Sequence, residues 1–200
     1  MDTLYFGGNY IRSFAQADTH DFYGKADLLG AYSSTKLART LPEMQASGTA
    51  HTLAYNAAVH VGMNYYLPQQ SVLSPEIGLG VMGGRTGAFD VDGSQAQSLE
   101  ERFDATHVNI GYGDISLKWH QNWEPVLGTS LIKTLMAGGV RYNFNHSMDV
   151  GANIAGIWGS DSVDLPRTYQ YFNTSLILEF NKNTSITFGY VGVYDSTGHS

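Results

Sequence analysis

The sequence predicts an all-β chain that forms an antiparallel, up-and-down transmembrane β-barrel. Every second residue from Leu53 to Tyr65 is apolar or aromatic, and a period of two over this length indicates a β-strand with two unlike faces. The residues between them are Asn, His, Ala and Gly, where a water-facing strand would carry Lys and Glu. Charged residues make up 14% of the chain, against about 25% in typical soluble domains. We therefore expect the polar face to line an enclosed wet interior and the apolar face to meet lipid.

Length, charge and composition narrow the classes further. The chain of 200 residues fits one domain, 1–200, with room for about eight to twelve barrel strands. A net charge of −7 without a basic cluster argues against nucleic acid as a partner, and the lack of cysteine excludes disulfides and thiol chemistry. No apolar run approaches the length of about 18 residues that a transmembrane helix needs.

The start of the chain carries no signal peptide. The chain is therefore either cytosolic or a fragment whose export signal lies upstream. Because the strand pattern is that of a membrane barrel, the bacterial outer membrane is the expected location.

Ten strands are predicted along the chain. Their approximate bounds are 3–14, 22–33, 51–66, 72–86, 103–112, 114–123, 129–144, 147–158, 169–180 and 184–194. Short polar turns are expected at 66–71, 142–150 and 178–186, and longer polar connections at 34–50, 87–102 and 159–168. Short turns that alternate with long loops are typical of outer-membrane barrels.

The stretch 105–120 tests this arrangement. Val108, Ile110 and Tyr112 share one phase of the alternation, whereas Ile115 and Leu117 share the opposite one. Either a β-bulge or a turn at 111–114 would explain the change, and the turn is favoured because it keeps short and long connections in alternation. The first strand then starts, and the tenth ends, on the long-loop side. A complete barrel begins and ends on the other side, so we expect twelve strands of which one is missing at each end.

Four segments carry a resemblance to a known family. They are Leu73-Ser74-Pro75-Glu76-Ile77-Gly78-Leu79-Gly80, Gly139-Val140-Arg141-Tyr142-Asn143-Phe144, Met148-Asp149-Val150-Gly151-Ala152 and Ile186-Thr187-Phe188-Gly189-Tyr190. With them the chain resembles the C-terminal translocator barrel of bacterial autotransporters, the type V secretion systems. The resemblance implies a twelve-stranded pore with a helix through the lumen that ends in an exported passenger. It also implies three partners: outer-membrane lipid, the chain's own passenger segment and the outer-membrane insertion machinery.

The chain departs from the family pattern at both ends. It stops at Gly198-His199-Ser200, without the terminal aromatic strand that the insertion machinery recognises, and its N-terminus shows no linker helix or Asn-Asn cleavage site. Both departures fit the truncation expected from the strand count.

A search for catalytic chemistry assigns no catalytic, cofactor-binding or metal residue, so the chain is not expected to be an enzyme. The adjacent pairs His146-Ser147 and His199-Ser200 are not ready dyads, because neighbours in a strand point to opposite faces. The segment Asp90-Val91-Asp92-Gly93 lacks the remaining ligands of a calcium loop.

Two sets of residues are predicted from the alternation. The candidate pore-lining residues are Asn56, His60, Asn64, Glu76, Arg141, Asn143, Asp149, Asn153, Asn173 and Glu179. The candidate lipid-facing and girdle residues are Leu53, Tyr55, Val59, Val61, Tyr65, Tyr142, Phe144, Trp158, Leu176, Leu178, Phe180, Phe188 and Tyr190. The polar set either lines a hydrated pore or forms an internal network that stiffens the barrel, and Arg141 is expected to pair with Asp149.

Aromatic side chains are expected to form two interfacial belts. Tyr65, Tyr66, Tyr142, Phe144 and Phe180 lie beside predicted short turns, and Trp123, Trp158 and Tyr194 lie near predicted longer loops.

The leading interpretation is a passive translocator barrel without a cofactor. One alternative is a small porin-like or adhesin-like barrel whose loops 34–50 and 87–102 bind a ligand. A barrel enzyme acting on lipid or peptide and a soluble lipid-binding barrel are further alternatives. If the side chains of Leu53, Val59 and Val61 point away from the barrel, a membrane barrel is favoured. If they point into a dry core, a soluble barrel is favoured.

Overall fold

A computed structural model describes residues 2–41, 44–93, 101–126, 129–154, 157–181 and 183–195. These residues form antiparallel strands, and no helix among them could cross a membrane. The strands are β1 (Asp2–Gln16), β2 (His20–Leu41), β3 (Met44–Leu67), β4 (Ser71–Thr86), β5 (Phe89–Gly93), β6 (Glu101–Phe103), β7 (Thr106–Trp123), β8 (Leu131–Asn143), β9 (Ser147–Ile154), β10 (Ile157–Asp164), β11 (Thr168–Asn181) and β12 (Thr184–Asp195).

Eight of these strands form one continuous antiparallel sheet, which we call the wall sheet. Its order is β1-β2-β3-β4-β7-β8-β11-β12, so the strands of the wall stand side by side in the order in which they occur along the chain. The antiparallel all-β fold is confirmed. The wall has eight strands, whereas ten were predicted. The predicted strands 103–112 and 114–123 belong to a single strand, β7, and the predicted strand 147–158 lies outside the wall.

The wall sheet curls into a half-barrel. Side chains from seven consecutive strands, β2 to β12, line one cavity of about 520 Å³, which only a strongly curved sheet can enclose. We call this side the cavity face and the opposite side the outer face. Within the described residues, β1 and β12 form the two edges of the wall and do not pair with each other.

The turn predicted at 111–114 is wrong. β7 runs unbroken from Thr106 to Trp123, and it keeps one register with β4 from Thr106↔Thr86 to Gln121↔Ser71. The apparent phase change has a different cause. Ile110 and Tyr112 are buried on the same face as Asp114 and Ser116, so the cavity face itself changes from apolar to polar along the strand.

The connections of the wall sheet fall into two groups, one at each rim. Residues 17–19, 68–70, 124–130 and 182–183 connect strands at one rim, which we call the short rim. The predicted turn at 66–71 is confirmed there, and Gln69 and Gln70 have φ values of 62° and 59°. At the other, long rim β2 is followed by β3, β4 by the connection to β7, and β8 by the connection to β11. Both β1 and β12 have their free ends at the long rim, in the predicted direction.

The predicted long connections contain more regular structure than expected. The connection at 34–50 is wrong, because β2 continues to Leu41 and β3 starts at Met44, and the two strands pair over this whole length. Parts of 87–102 and 159–168 are strands as well. The hairpin predicted at 142–150 is also wrong. β9 does not return along β8, since it pairs with β6 and β10.

β5, β6, β9 and β10 form a small second sheet at the long rim, which we call the satellite sheet. β5 pairs with β3 at Ala46↔Gly93 and Ser47↔Asp92, and the order then runs β5-β6-β9-β10. On one face Phe89 and Phe103 stack with their ring centroids 4.8 Å apart. The satellite sheet therefore lies beyond the wall and takes no part in the curved surface around the cavity.

Candidate functional site

The cavity face carries a row of charged side chains at a single level of the wall. Lys25, His60, Gly78, Asp114 and Arg141 lie directly opposite one another across five neighbouring strands. Residues paired across an antiparallel sheet point to the same face, so this register brings these side chains together on the cavity face. This level holds Lys25, His60, Asp114 and Arg141, and Asp27, two residues after Lys25 on β2, adds a second carboxylate beside it.

His60 lies between two carboxylates. Its Nδ1 atom is 3.4 Å from Oδ2 of Asp27, and its Nε2 atom is 3.4 Å from Oδ1 of Asp114. Gly78 makes this bridge possible, since a Cβ there would lie 2.1 Å from Cδ2 of His60 and 2.6 Å from Oδ1 of Asp114. The missing side chain at Gly78 thus leaves room for the His60 imidazole to extend across β4.

Cations close both ends of this bridge. Nζ of Lys25 is 2.8 Å from Oδ2 of Asp27, and Nη2 of Arg141 is 3.4 Å from Oδ2 of Asp114. The Arg141 guanidinium also lies over the Tyr112 ring, with Cζ 3.9 Å from the ring centroid, which is a cation–π contact. The chain Lys25–Asp27–His60–Asp114–Arg141 spans β2, β3, β7 and β8, and we call it the charge row.

A second ionic group lies one level nearer the short rim. Glu76 is 6% exposed, and its two carboxylate oxygens accept from the Tyr23 hydroxyl and from Nζ of Lys118, the latter at 2.5 Å. Lys118 is only partly buried, so its ammonium reaches the cavity while it neutralises the buried carboxylate. A buried charge needs such pairing, because its desolvation is costly otherwise.

Tyrosine rings cover glycines of the neighbouring strand at three places on the cavity face. Tyr23 lies over Gly62, Tyr112 over Gly80 and Tyr171 over Gly139. A Cβ at each glycine would come within 2.5–2.6 Å of a tyrosine ring or hydroxyl atom. Such pairs fill the space left by the missing side chain and bury apolar ring surface, which stabilises the adjacent strands.

Eight of the ten candidate pore-lining residues lie on the cavity face. They are Asn56, His60, Asn64, Glu76, Arg141, Asn143, Asn173 and Glu179. Four of them line the same cavity: His60 and Arg141, which belong to the charge row, and Asn56 and Glu76. The Tyr112 hydroxyl donates to Oδ1 of Asn56 at 2.8 Å.

The other four residues of this group have separate partners or positions. Oδ1 of Asn64 accepts from the Ser74 hydroxyl at 2.6 Å, and Glu179 pairs with Lys133 at 2.6 Å. Asn143 is fully buried and donates to the Pro166 carbonyl at 2.9 Å, whereas Asn173 is exposed. These four residues therefore belong neither to the charge row nor to the lining of the cavity.

Asp149 and Asn153 do not lie on the wall. Both are on β9 of the satellite sheet, because the chain leaves the wall after β8 and pairs with β6. The predicted pairing of Arg141 with Asp149 is wrong, since Asp149 is exposed and Arg141 binds Asp114.

The candidate lipid-facing residues, with one exception, alternate with the cavity-face residues and lie on the outer face. Val59, Val61 and Phe188 are more than half exposed there. The exception is Trp158, which is on β10 of the satellite sheet and donates from Nε1 to Asp104 at 3.1 Å.

The aromatic belts differ from the expectation at three residues. Tyr142 and Phe144 lie at the long rim, because the connection after β8 is on that side. Trp123 is at the short rim, where β7 ends.

The sequence prediction missed four charged residues that line the cavity, Lys25, Asp27, Asp114 and Lys118, and the tyrosines of the cavity face. The erroneous turn at 111–114 placed Asp114 outside a strand. The even-numbered residues from Val108 to His120 share one face of β7, but the change from apolar to polar side chains along that face hides this in the sequence. No group of three or more potential metal ligands comes together within the part of the chain that the structure describes.

Comparison with protein families gives one match. The autotransporter beta-domain family matches residues 3–191, which is nearly the whole chain. Neither the comparison with curated proteins nor that with solved structures found a match. The curved antiparallel wall, its polar concave side and its apolar convex side agree with that family. The chain therefore belongs to the autotransporter beta-domain family, the outer-membrane translocator domains of type V secretion.

Proposed function

We propose that the cavity face lines the passage in which the passenger segment lies during export, and that the outer face contacts outer-membrane lipid. The observation that carries this proposal is the contrast between the two faces. Seven strands enclose a cavity with charged and amide side chains, while aliphatic and aromatic side chains stand exposed on the other side. An exposed apolar face of this extent is stable only against an apolar solvent.

The charges around the cavity are balanced. Three cations, Lys25, Lys118 and Arg141, face three carboxylates, Asp27, Glu76 and Asp114. A balanced lining produces little net field, so it attracts or repels neither acidic nor basic segments strongly. This property suits a passage that must accept a long polypeptide of mixed charge.

Some polar atoms of the charge row have hydrogen-bonding capacity left. Nδ1 of His60, Oδ1 of Asp114 and Nε of Arg141 are buried and have no hydrogen-bond partner among the described residues. Leaving buried atoms without a hydrogen bond costs free energy, although Nδ1 of His60 and Oδ1 of Asp114 keep their 3.4 Å ionic contacts. A segment inside the cavity would bond to these atoms only after their side chains turn toward it.

The proposed mechanism is passive, and the domain 1–200 acts as a support for export without a catalytic step. Pairing on both sides satisfies the backbone groups of the strands between β1 and β12, which lipid requires of any spanning structure, whereas β1 and β12 each keep one edge that is unpaired among the described residues. We assign assembly in the bacterial outer membrane to the insertion machinery, in keeping with the family. Passenger and machinery are therefore the proposed protein partners.

Neighbouring residues on β11 test the two faces. The chain contains no cysteine, so single cysteines can be introduced at Asn173 on the cavity face and at Phe172 on the outer face. In membranes we expect a water-soluble maleimide to modify the Asn173→Cys variant. The Phe172→Cys variant should resist it and should react with a lipid-soluble maleimide. Equal reaction of both variants with the water-soluble reagent would contradict the assignment of faces.

A stalled passenger tests the passage itself. A reporter passenger with one cysteine, fused ahead of the domain and halted by a folded module, should form a disulfide with Asn173→Cys. The matched Phe172→Cys variant should form none. Export of the reporter without any crosslink from the cavity face would show that the passenger takes another route.

A further inference from the structure

The acidic charge of the chain is concentrated at the long rim. Residues 87–105 and 144–167 contain eight of the 18 acidic residues and only two of the 11 basic residues. The rest of the chain is nearly neutral, so most of the net charge of −7 belongs to these two connections. Described parts of both connections form the satellite sheet, on which Asp90, Asp149, Asp161 and Asp164 are exposed.

The carboxylates of the satellite sheet are exposed and poorly neutralised. Asp90 is 3.9 Å from Arg102, but both side chains are about two-thirds exposed, and an exposed ion pair of this kind is weak. Asp149, Asp161 and Asp164 are exposed, and no basic side chain of the described residues lies within ion-pair distance of them. This surface therefore has an unmatched negative potential.

One edge of the satellite sheet is open. Among the described residues β10 pairs with β9 alone, and every residue of Ile157–Asp164 is exposed. Such an edge presents a row of unpaired N–H and C=O groups that can accept a further strand. Trp158 lies on the same face of β10 as Ser162 and Asp164, and Ser162 is opposite Asp149, so an aromatic surface and two carboxylates flank the edge.

We infer that the β10 edge binds an extended, Lys- or Arg-rich segment of a partner protein by strand addition. The backbone of that segment would pair with β10. Its basic side chains would lie beside Asp149 and Asp164 on one face and beside Asp161 on the other. A second copy of this chain fits poorly, because two acidic edges would repel each other. This inference goes beyond export, since the satellite sheet lies outside the cavity.

The test uses the whole domain in detergent micelles and a synthetic peptide of the length of β10 that alternates Lys with Val. We expect binding that weakens with salt and protects the amides of 157–164 from hydrogen exchange. The same peptide with N-methyl groups along one edge keeps its charge but cannot pair its backbone, and it should bind far more weakly. A Glu–Val peptide should not bind.

Two matched double variants separate this site from general charge attraction. Asp149→Asn with Asp164→Asn should weaken peptide binding about tenfold, because each exposed ion pair contributes up to about threefold to fivefold. Asp18→Asn with Glu124→Gln removes the same charge at the short rim and should leave binding unchanged.

Two outcomes would overturn the inference. In the first, the N-methylated peptide binds as well as the parent, so that attraction by charge alone accounts for binding. In the second, the lysine peptide does not bind, and the acidic side chains then only protect an exposed edge from aggregation.

Discussion

The charge row and the satellite sheet place acidic side chains in opposite circumstances. In the charge row, Asp27 and Asp114 each contact a cation and a shared imidazole, inside a curved wall. On the satellite sheet, Asp164 stands exposed on the open strand β10 and Asp149 stands exposed on the adjacent strand β9. The difference shows that aspartates hold neighbouring strands together in the charge row, whereas on the satellite sheet they give the surface a negative potential. Substitutions in the two regions should therefore have unlike effects.

The largest effect is expected where a charge is placed on the outer face. Val61→Arg should reduce the stability of the membrane-inserted domain by about 2–4 kcal/mol, because an arginine near the bilayer midplane must be desolvated. Unfolding by urea in lipid vesicles measures the loss. Asn56→Arg is the control on the cavity face of the same strand and should cost less, about 1 kcal/mol, because it loses only the hydrogen bond from the Tyr112 hydroxyl. Similar losses for both would mean that the faces do not differ in solvent.

A smaller loss is expected when the buried carboxylate loses its cation. Lys118→Met leaves Glu76 unpaired and should cost about 2 kcal/mol, less than for a fully buried pair, because Lys118 is partly exposed. Adding Glu76→Gln should recover much of that loss, which a double-mutant cycle in urea would record as coupling of about 1 kcal/mol or more. Additive losses would refute the ion pair.

The glycine under the imidazole should be sensitive to a single methyl group. Gly78→Ala places a Cβ against His60 and should cost about 1–2 kcal/mol, because the imidazole must leave its position between the two carboxylates. Gly189→Ala is the control on the cavity face of β12, where the nearest atom would be 3.6 Å away. We expect a difference between the two midpoints of thermal unfolding, and equal midpoints would argue against the bridge.

The smallest effect on stability is expected on the satellite sheet. Asp149→Asn and Asp164→Asn should each change the free energy of unfolding by less than about 0.5 kcal/mol, because exposed carboxylates without ion-pair partners contribute little. The same urea titration measures this. A large loss in either variant would show that these carboxylates support the fold, and the comparison with the charge row would fail.

The sequence predicts the wall best where one face holds only polar or small residues. From Leu53 to Tyr65 the alternation fixes both the strand and the direction of its side chains, because each large apolar residue faces outward. On β7 the same reasoning fails. Ile110 and Tyr112 are apolar yet lie on the cavity face, so hydrophobicity alone suggests a turn where the strand continues. Only the pairing of β7 with β4 and β8 shows that the strand continues, and the sequence of one segment does not reveal its pairing partners.

The charge row and the satellite sheet were beyond sequence reasoning for a related reason. His60 meets Asp27 and Asp114 through a register that joins strands distant along the chain. The pairing of β6 with β9 likewise joins two polar segments that have the composition of loops. Local patterns report which residues face the same way, whereas these contacts depend on which strands become neighbours.

The three tyrosine–glycine pairs also fix how neighbouring strands slide past one another. A shift of β2 by two residues would move the Tyr23 ring from Gly62 onto His60 or Asn64, and the same shift of β11 would move Tyr171 from Gly139 onto Ala137 or Arg141. Each misalignment forces a ring against a side chain. The three pairs therefore favour the observed register over one shifted by two residues.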